Sequence, residues 1–429
     1  MPLTLPPRTV RRARALSTRW QKRLLFIAGG LVVGLIAVGF AMLADAAQDA
    51  FRQILAKSRF LSLALTPIGL AVSVFLAGRY FPNSGGSGIP QAIAARALTD
   101  QEVRGRLVSL RVAVGKVALT ALGLLCGASI GREGPTVQVG ASVMFALGRL
   151  SPRRQSGLIL AGAAAGVAAA FNTPLAGIVF AVEEMSRSFE SRTSGLILGT
   201  VIAAGLVSLA VMGNYSYFGS TALALHGVRD WMAVPVCGVV GGLLGGLFSR
   251  VVVLAAHPGG AIWQRVKRHK VVFAGLCGLG VALCGLASGD TVYGTGYAQV
   301  EAMLTGGAVP PLSFGLLKLL ATVLSTISGA PGGIFSPSLA VGAGLGQELG
   351  QILPLVPLGV MVLLGMVSYF AGVVQAPITA FVIVTEMTNG QVSVVPLMLA
   401  ALIAYGTSRL VCHEGIYHAL SHQFVSASR

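Results

Sequence analysis

The chain has 429 residues, of which 54% are hydrophobic and 10% charged, and its mean hydropathy is +0.80. A soluble domain carries about 25% charge, so this composition excludes a water-soluble protein and indicates an integral membrane protein. The net charge of +17 does not call for a nucleic-acid partner, because the basic residues stand in short clusters between apolar runs.

In chain order, residues 1–23 form a basic entry segment. Arg8, Arg11, Arg12, Arg14, Arg19, Lys22 and Arg23 have no acid among them, which predicts a cytoplasmic N-terminus. Leu24–Leu43 is uncharged over twenty residues, enough to cross a ~30 Å hydrocarbon core. The run is longer than a signal core, and no convincing small-residue cleavage site precedes Asp45, so a signal peptide is not expected. Leu24–Ala47 and Leu61–Phe81 are predicted spans. Asn83–Pro90 is a Gly/Ser-rich break, and the run after it, Gln91–Leu98, is too short to cross. Residues 100–106 form a charged loop, followed by the apolar run Val108–Cys126.

Next comes Gly131-Arg132-Glu133-Gly134-Pro135, where one apolar run ends and another, Val137–Leu147, begins. Two glycines and a proline at such a junction predict a helix start, with Pro in the first turn where its missing N–H costs nothing. A helix start presents free N–H groups and partial positive charge, hence an anion site. Glu133, an acid at a broken membrane helix, is therefore a functional candidate; the plain alternative is a loop Glu at the membrane surface. Leu158–Ala170 runs to a further break at Asn172-Thr173-Pro174, and a short helix leads to Glu183-Glu184. Ser194–Met212 is a predicted span, residues 213–230 a polar loop, and Val234–Ala256 opens a second half. Arg265, Lys267, Arg268 and Lys270 are predicted on the same side as the N-terminus, with an even number of crossings between.

Cys126, Cys237, Cys277, Cys284 and Cys412 lie mostly in apolar segments without a CxxC pair and read as packing residues. His226, His257, His269, His413, His418 and His422 fall outside clear spans, and none is paired with Cys or Asp at metal-ligand spacing. Neither a metal nor a cofactor is expected.

The sequence repeats itself. At a shift of 202, Lys116 meets Lys318, Gly127 meets Gly329, Gly131 meets Gly333, Pro135 meets Pro337 and Gly140 meets Gly342. At 203, Pro174 meets Pro377 and Glu183 meets Glu386; at 208, Gly86, Gly88 and Gln91 meet Gly294, Gly296 and Gln299. Lys, Pro and Glu falling in step over roughly 90 residues is not explained by Gly-rich composition. Duplicated halves broken at corresponding places are a transporter pattern, with the site at the repeat interface. Hydropathy alone leaves the relative orientation of the halves open.

Gly86-Ser87-Gly88-Ile89-Pro90, Gly131-Arg132-Glu133-Gly134-Pro135 and Gly332-Gly333-Ile334-Phe335-Ser336-Pro337 resemble the three anion-binding motifs of the CLC chloride channel and transporter family, in the family's order. Asn172–Gly177 with Glu183-Glu184-Met185 fits as well, and the resemblance covers residues 24 to 425. It implies an all-α polytopic membrane protein of two inverted halves built from tilted and broken helices. The implied bounds are a cytoplasmic segment 1–23, a first repeat 24–213, a loop 214–232 and a second repeat 233–425, with no C-terminal nucleotide-binding domain.

By the same resemblance, chloride meets the hydroxyls of Ser87 and Tyr417 and the backbone N–H groups of Ile334 and Phe335. Gly86, Gly88, Arg132 and Gly134 shape the anion-site backbone. Arg132 is read as holding the loop geometry rather than touching the ion. Glu133 resembles the gating glutamate, which blocks the anion path when ionised and opens it when protonated. Glu184 resembles the inner proton acceptor of exchangers; the plain alternative is a surface acid at a helix end. The physics agrees: a dehydrated anion at mid-membrane needs donors, yet full positive charges would hold it too tightly to leave. Glu183 and Glu386, at repeat-equivalent positions, read as helix caps or braces. Ser87 could equally be an N-cap and Tyr417 an interfacial aromatic. Lys116 either adds positive potential or snorkels to an interface.

Two departures stand out. Ile93 occupies a position where some bacterial exchangers carry a carboxylate, which implies different proton wiring, and Ser336 stands where Ala often follows Ile-Phe. The expected function is chloride/proton antiport by a homodimer in the bacterial inner membrane, with no nucleic-acid or nucleotide partner. Rivals are a passive chloride channel, a fluoride exporter, disfavoured because Ser87 is kept, and an intramembrane enzyme, disfavoured because no His lies within a span.

Overall fold

The computed structural model describes residues 7–150, 154–186, 194–213, 218, 225, 227, 229–256, 268–388 and 394–426. Most of the expected loop 214–232 lies outside these residues, as do Arg265 and Lys267 of the second basic cluster. Among the described residues the regular elements are all helices. The first half contains α1 (Pro7–Lys57), α2 (Ser62–Tyr80), α3 (Ile89–Ala97), α4 (Gln101–Leu107), α5 (Leu110–Leu125), α6 (Glu133–Leu147), α7 (Gln155–Phe171), α8 (Pro174–Phe180) and α9 (Ser194–Met212). The second contains α10 (Ala233–Ala256), α11 (Lys270–Ala287), α12 (Tyr297–Thr305), α13 (Phe314–Ile327), α14 (Phe335–Ile352), α15 (Leu358–Val374), α16 (Pro377–Met387), α17 (Val394–Val411) and α18 (Ile416–Ser426).

Among the described residues, seven helical stretches are long and apolar enough to cross a bilayer: 23–57, 59–80, 101–125, 195–212, 230–256, 270–287 and 394–411. The first does not stop near Ala47, as hydropathy suggests, but runs on through Asp49 and Arg52 to Lys57, because nothing in that stretch breaks a helix. The helices between the spans are short, and the most deeply buried of them start inside the protein. α6, α7, α14 and α15 are buried on almost every side. A helix apolar all round suits a protein core as well as a bilayer, and these four are in the core.

The repeat seen in the sequence is a repeat in space. Gly86 and Gly88 have φ of 63° and 97°, and Gly294 and Gly296 have 65° and 85°. Asn172 and Gln375, both left-handed at φ 56° and 58°, end α7 and α15. Where α6 crosses α7, a Cβ on Gly140 or Gly162 would overlap the other's carbonyl, and Gly342 and Gly365 meet in the same way where α14 crosses α15. Small residues at such crossings let membrane helices pack backbone to backbone.

The halves are inverted. α2 and α11 both run between two cavities. One is lined by Val74, Ala77, Gly86, Ser87 and Lys270. The other is lined by Asp290, Gly294, Thr295 and Gly296, and there Arg59, just ahead of α2, pairs with Asp290 at 3.2 Å. The Gly86 loop of one half and the matching Gly294 loop of the other therefore open toward opposite faces. The breaks meet in the middle: Gly131 and Gly333 exchange antiparallel hydrogen bonds of 2.8 and 2.7 Å.

Two reciprocal clamps join the halves. Glu183 accepts hydrogen bonds from the backbone N–H groups of Ile378 and Thr379 at 3.0 and 2.6 Å, capping α16. Glu386 accepts from Leu175 and Ala176 at 3.2 and 2.7 Å, capping α8. The capping role read from the repeat is thus met, each acid serving the opposite half. Glu183→Ala is expected to leave these donors unsatisfied and to lower stability by about 1–3 kcal/mol, read as an earlier thermal transition of the detergent-solubilised protein. An unchanged transition would show that the cap contributes nothing.

The buried lysines are a second matched pair. Lys116 donates to the carbonyls of Gly85 and Gly86 at 3.3 and 2.8 Å, and Lys318 to those of Val292 and Gly294 at 2.8 and 2.7 Å. Lys116 therefore does not snorkel: it is fully buried, and its ammonium straps the loop that carries Ser87. The five cysteines are thiols, four of them buried.

Candidate anion site and gate

Three helices begin around the Gly131–Gly333 crossing: α3 after Gly88, α6 after Arg132 and α14 after Ile334. None of the three has a side-chain cap, whereas Asp100 and Ser109 cap the nearby α4 and α5. Uncapped N-termini facing a common point leave N–H groups and partial positive charge for an anion.

Glu133 sits at that point and is fully buried. Its Oε1 accepts a hydrogen bond from the Tyr297 hydroxyl at 2.6 Å, and its Oε2 accepts one from the Ser336 hydroxyl at 2.9 Å. It is not a surface loop acid. Gly131 makes the room, since a Cβ there would overlap both Ser336 Oγ and Glu133 Oε2. Gly134 does the same beside Ser87, whose hydroxyl a Cβ at that position would crowd. Arg132 points away from the crossing. Its Nη1 donates to Ala41 O at 2.7 Å and pairs with Asp45 at 2.6 Å, which ties the loop to α1.

On one side of Glu133 lies the cavity of about 560 Å³ that Gly86, Ser87, Ile334 and Tyr417 line. The N-cap of α3 is Gly88, so Ser87 is no cap and its hydroxyl remains available. The Ser87 and Tyr417 hydroxyls lie beside one another, and neither atom makes a well-formed hydrogen bond among the described residues. Tyr417 is wholly buried, so the interfacial reading of it does not hold. Its ring packs 5.7 Å from that of Phe335, which in turn meets Phe171, Phe180 and Phe370. This aromatic cluster fixes the start of α14, and with it the N–H groups of Ile334 and Phe335.

On the other side lies a cavity of about 470 Å³ lined by Asp45, Gln48, Arg52, Asp290, Tyr297 and Glu301, among others. Glu133 belongs to neither wall. The Glu133 carboxylate and the Phe335 cluster separate two open vestibules.

Glu184 is 3% exposed, in the π-helical turn Ala181–Ser186 that follows α8. It is not a surface carboxylate, and such turns recur at functional sites. His418, next to Tyr417, bonds the Glu184 carbonyl at 2.8 Å, with its Nε2 3.8 Å from the carboxylate. Glu184 is thus joined to His418, the residue beside Tyr417. Ile93 is buried in the core on α3, where it can carry no proton.

The structure thus brings Ser87, Glu133, Ile334, Phe335 and Tyr417 to one place, with Gly86, Gly88 and Gly134 in the surrounding backbone and Glu184 one step away against His418. Sequence reasoning misses Tyr297 and His418. The repeat held the signal for Tyr297, because it follows Gly294-Thr295-Gly296 as Ile89 follows Gly86-Ser87-Gly88.

A model of the voltage gated chloride channel family matches residues 68–409. The chain is 30% identical to the H(+)/Cl(-) exchange transporter ClcA of Yersinia pestis bv. Antiqua (strain Angola), over 91% of the chain and 85% of the relative. It is 31% identical to ClcA of Vibrio parahaemolyticus serotype O3:K6 (strain RIMD 2210633), over 82% of the chain and 77% of the relative. Its fold is similar to that of a slow cyanobacterial Cl-/H+ antiporter, with a TM-score of 0.79 and 25% identity over 94% of this chain and 98% of that one. A CLC-type fluoride/proton antiporter shares the fold at a TM-score of 0.77, with 23% identity over 93% and 97%. Motifs, inverted repeat and comparisons agree, and the chain belongs to the voltage-gated chloride channel (CLC) family.

Proposed function

We propose that this protein exchanges chloride for protons across a membrane. The observation that carries the reading is a buried carboxylate, Glu133, seated where uncapped helix ends converge and standing between two water-accessible vestibules. In that seat an ionised carboxylate competes with chloride for the same donors. Proton binding removes the charge and the competition, so one group responds to both ions. The relatives named as H(+)/Cl(-) exchange transporters support the same reading.

In this scheme chloride enters from the vestibule that reaches Ser87 and Tyr417 and is held by their hydroxyls and by the N–H groups of Ile334 and Phe335. Partial charges suffice to replace its water and weak enough binding lets it leave. Glu184 takes the proton on the same side of the protein and passes it toward Glu133. The working unit is a homodimer in the bacterial inner membrane with a cytoplasmic N-terminus. Its repeats are 24–213 and 233–425, joined by 214–232 and preceded by the basic segment 1–23. The vestibule lined by Ser87 and Lys270 is then the cytoplasmic one.

The test is flux in proteoliposomes with chloride and proton recorded together. A chloride gradient should drive protons uphill. Chloride movement with no proton movement would instead make the protein a passive channel.

A further inference from the structure

Glu133 is held by two hydroxyls of the opposite repeat. Its two carboxylate oxygens are each engaged by a different hydroxyl, Tyr297 Oη at 2.6 Å and Ser336 Oγ at 2.9 Å. The hydroxyls come from the N-termini of two separate helices of the other repeat, α12 and α14. Glu133 is fully buried and Ser336 with it, while Tyr297 reaches the carboxylate from the wall of the Gly294 vestibule. Gly131 is the residue type that leaves space for the contact, and Lys318 fixes the loop ahead of Tyr297 through the Val292 and Gly294 carbonyls.

We infer that Tyr297 and Ser336 are positioning residues that clamp the Glu133 carboxylate in its closed seat and so set the pH at which the pathway opens. The inference rests on Glu133 being the gate. A hydroxyl that donates to a carboxylate favours its charged form, and a hydrogen bond to a charged group shifts an equilibrium by about ten- to a hundredfold. Removing one donor therefore lets Glu133 take its proton at higher pH and weakens its hold on the seat. The other ionisable groups around Glu133 are engaged elsewhere. Arg132 is tied to Asp45 and Ala41, Lys318 to the α12 loop and Lys116 to the Gly86 loop. Tyr417 faces the opposite vestibule. None of these need change when Ser336 or Tyr297 loses its hydroxyl.

The experiment is chloride flux against pH in proteoliposomes for Ser336→Ala, Tyr297→Phe and Glu133→Gln, and for each hydroxyl variant combined with Glu133→Gln. Ser336→Ala and Tyr297→Phe should each move the profile up by about one pH unit or more. Neither should alter the flat profile of Glu133→Gln, a result that general loosening of the fold would not give. Ser336→Thr, which keeps the hydroxyl, should stay closer to the parent than Ser336→Ala. A flat Glu133→Gln profile beside unshifted Ser336→Ala and Tyr297→Phe would overturn the clamp alone. A Glu133→Gln profile that still depends on pH would overturn the gate, and the clamp with it.

Discussion

Glu133→Gln is expected to keep chloride moving at every pH and to abolish proton coupling. The amide is nearly the size of the protonated acid but carries no charge, so it cannot stand in for an anion at the helix ends. If opening requires protonation, parent flux should change by up to about tenfold per pH unit above the titration point of the gate, and the variant should lose that slope altogether. The effect is large because Glu133 is fully buried and both of its oxygens are hydrogen-bonded, so its charge is undiluted by solvent. A chloride gradient imposed on vesicles containing the variant should collapse without moving protons. Persistent proton pumping would remove Glu133 from the coupling path.

Glu184→Ala is expected to separate the two ions from the other side. Glu184 is not among the residues lining the Ser87 vestibule, so chloride flux is expected to survive its loss. Protons do, if they must cross the buried stretch between that face and Tyr417. Loss of a positioned proton-transfer group commonly costs about 10²–10⁴-fold in the step it serves, which would place proton flux at the background leak while chloride flux continues. The burial of Glu184 at 3% supports this over a surface-acid role, since a surface acid could be lost without consequence. Unchanged coupling would assign the proton path to other groups. His418 would then be the first to examine, with its Nε2 3.8 Å from the same carboxylate.

Taken together the two variants distinguish their targets. Glu133→Gln should remove both the pH dependence of chloride flux and proton transport, whereas Glu184→Ala should remove proton transport and leave the pH response of the gate.

The class of protein and its inner repeat were legible in the chain because both are written in local chemistry. Many long uncharged runs in one chain call for lipid around it. Matched Gly, Lys, Pro and Glu at shifts of 202, 203 and 208 mark two copies of one design. Glu183 and Glu386 could be read as caps because a repeated acid at a helix end has few other uses. The motifs around Ser87, Glu133, Ile334 and Tyr417 could be paired with a function through their resemblance to those of the CLC family, while Gly and Pro marked the helix breaks at the first three.

What the sequence could not decide was which groups meet. Ser336 reads as a small change from Ala, and Tyr297 as an aromatic at the start of a short helix. They become partners of Glu133 only because Gly131 and Gly333 pair, bringing positions 203 and 164 residues apart into contact. The fate of Lys116 also depended on the fold: the ammonium could have reached an interface, but the loop carbonyls of Gly85 and Gly86 lie closer. The opposed direction of the halves likewise emerged only when the Gly86 and Gly294 loops were seen to open on different vestibules. Hydrophobic pattern and turn chemistry act over a few residues and so fix elements and their breaks. The closed seat of the gate is made by hydrogen bonds between distant segments, which exist only once helix packing has brought them together.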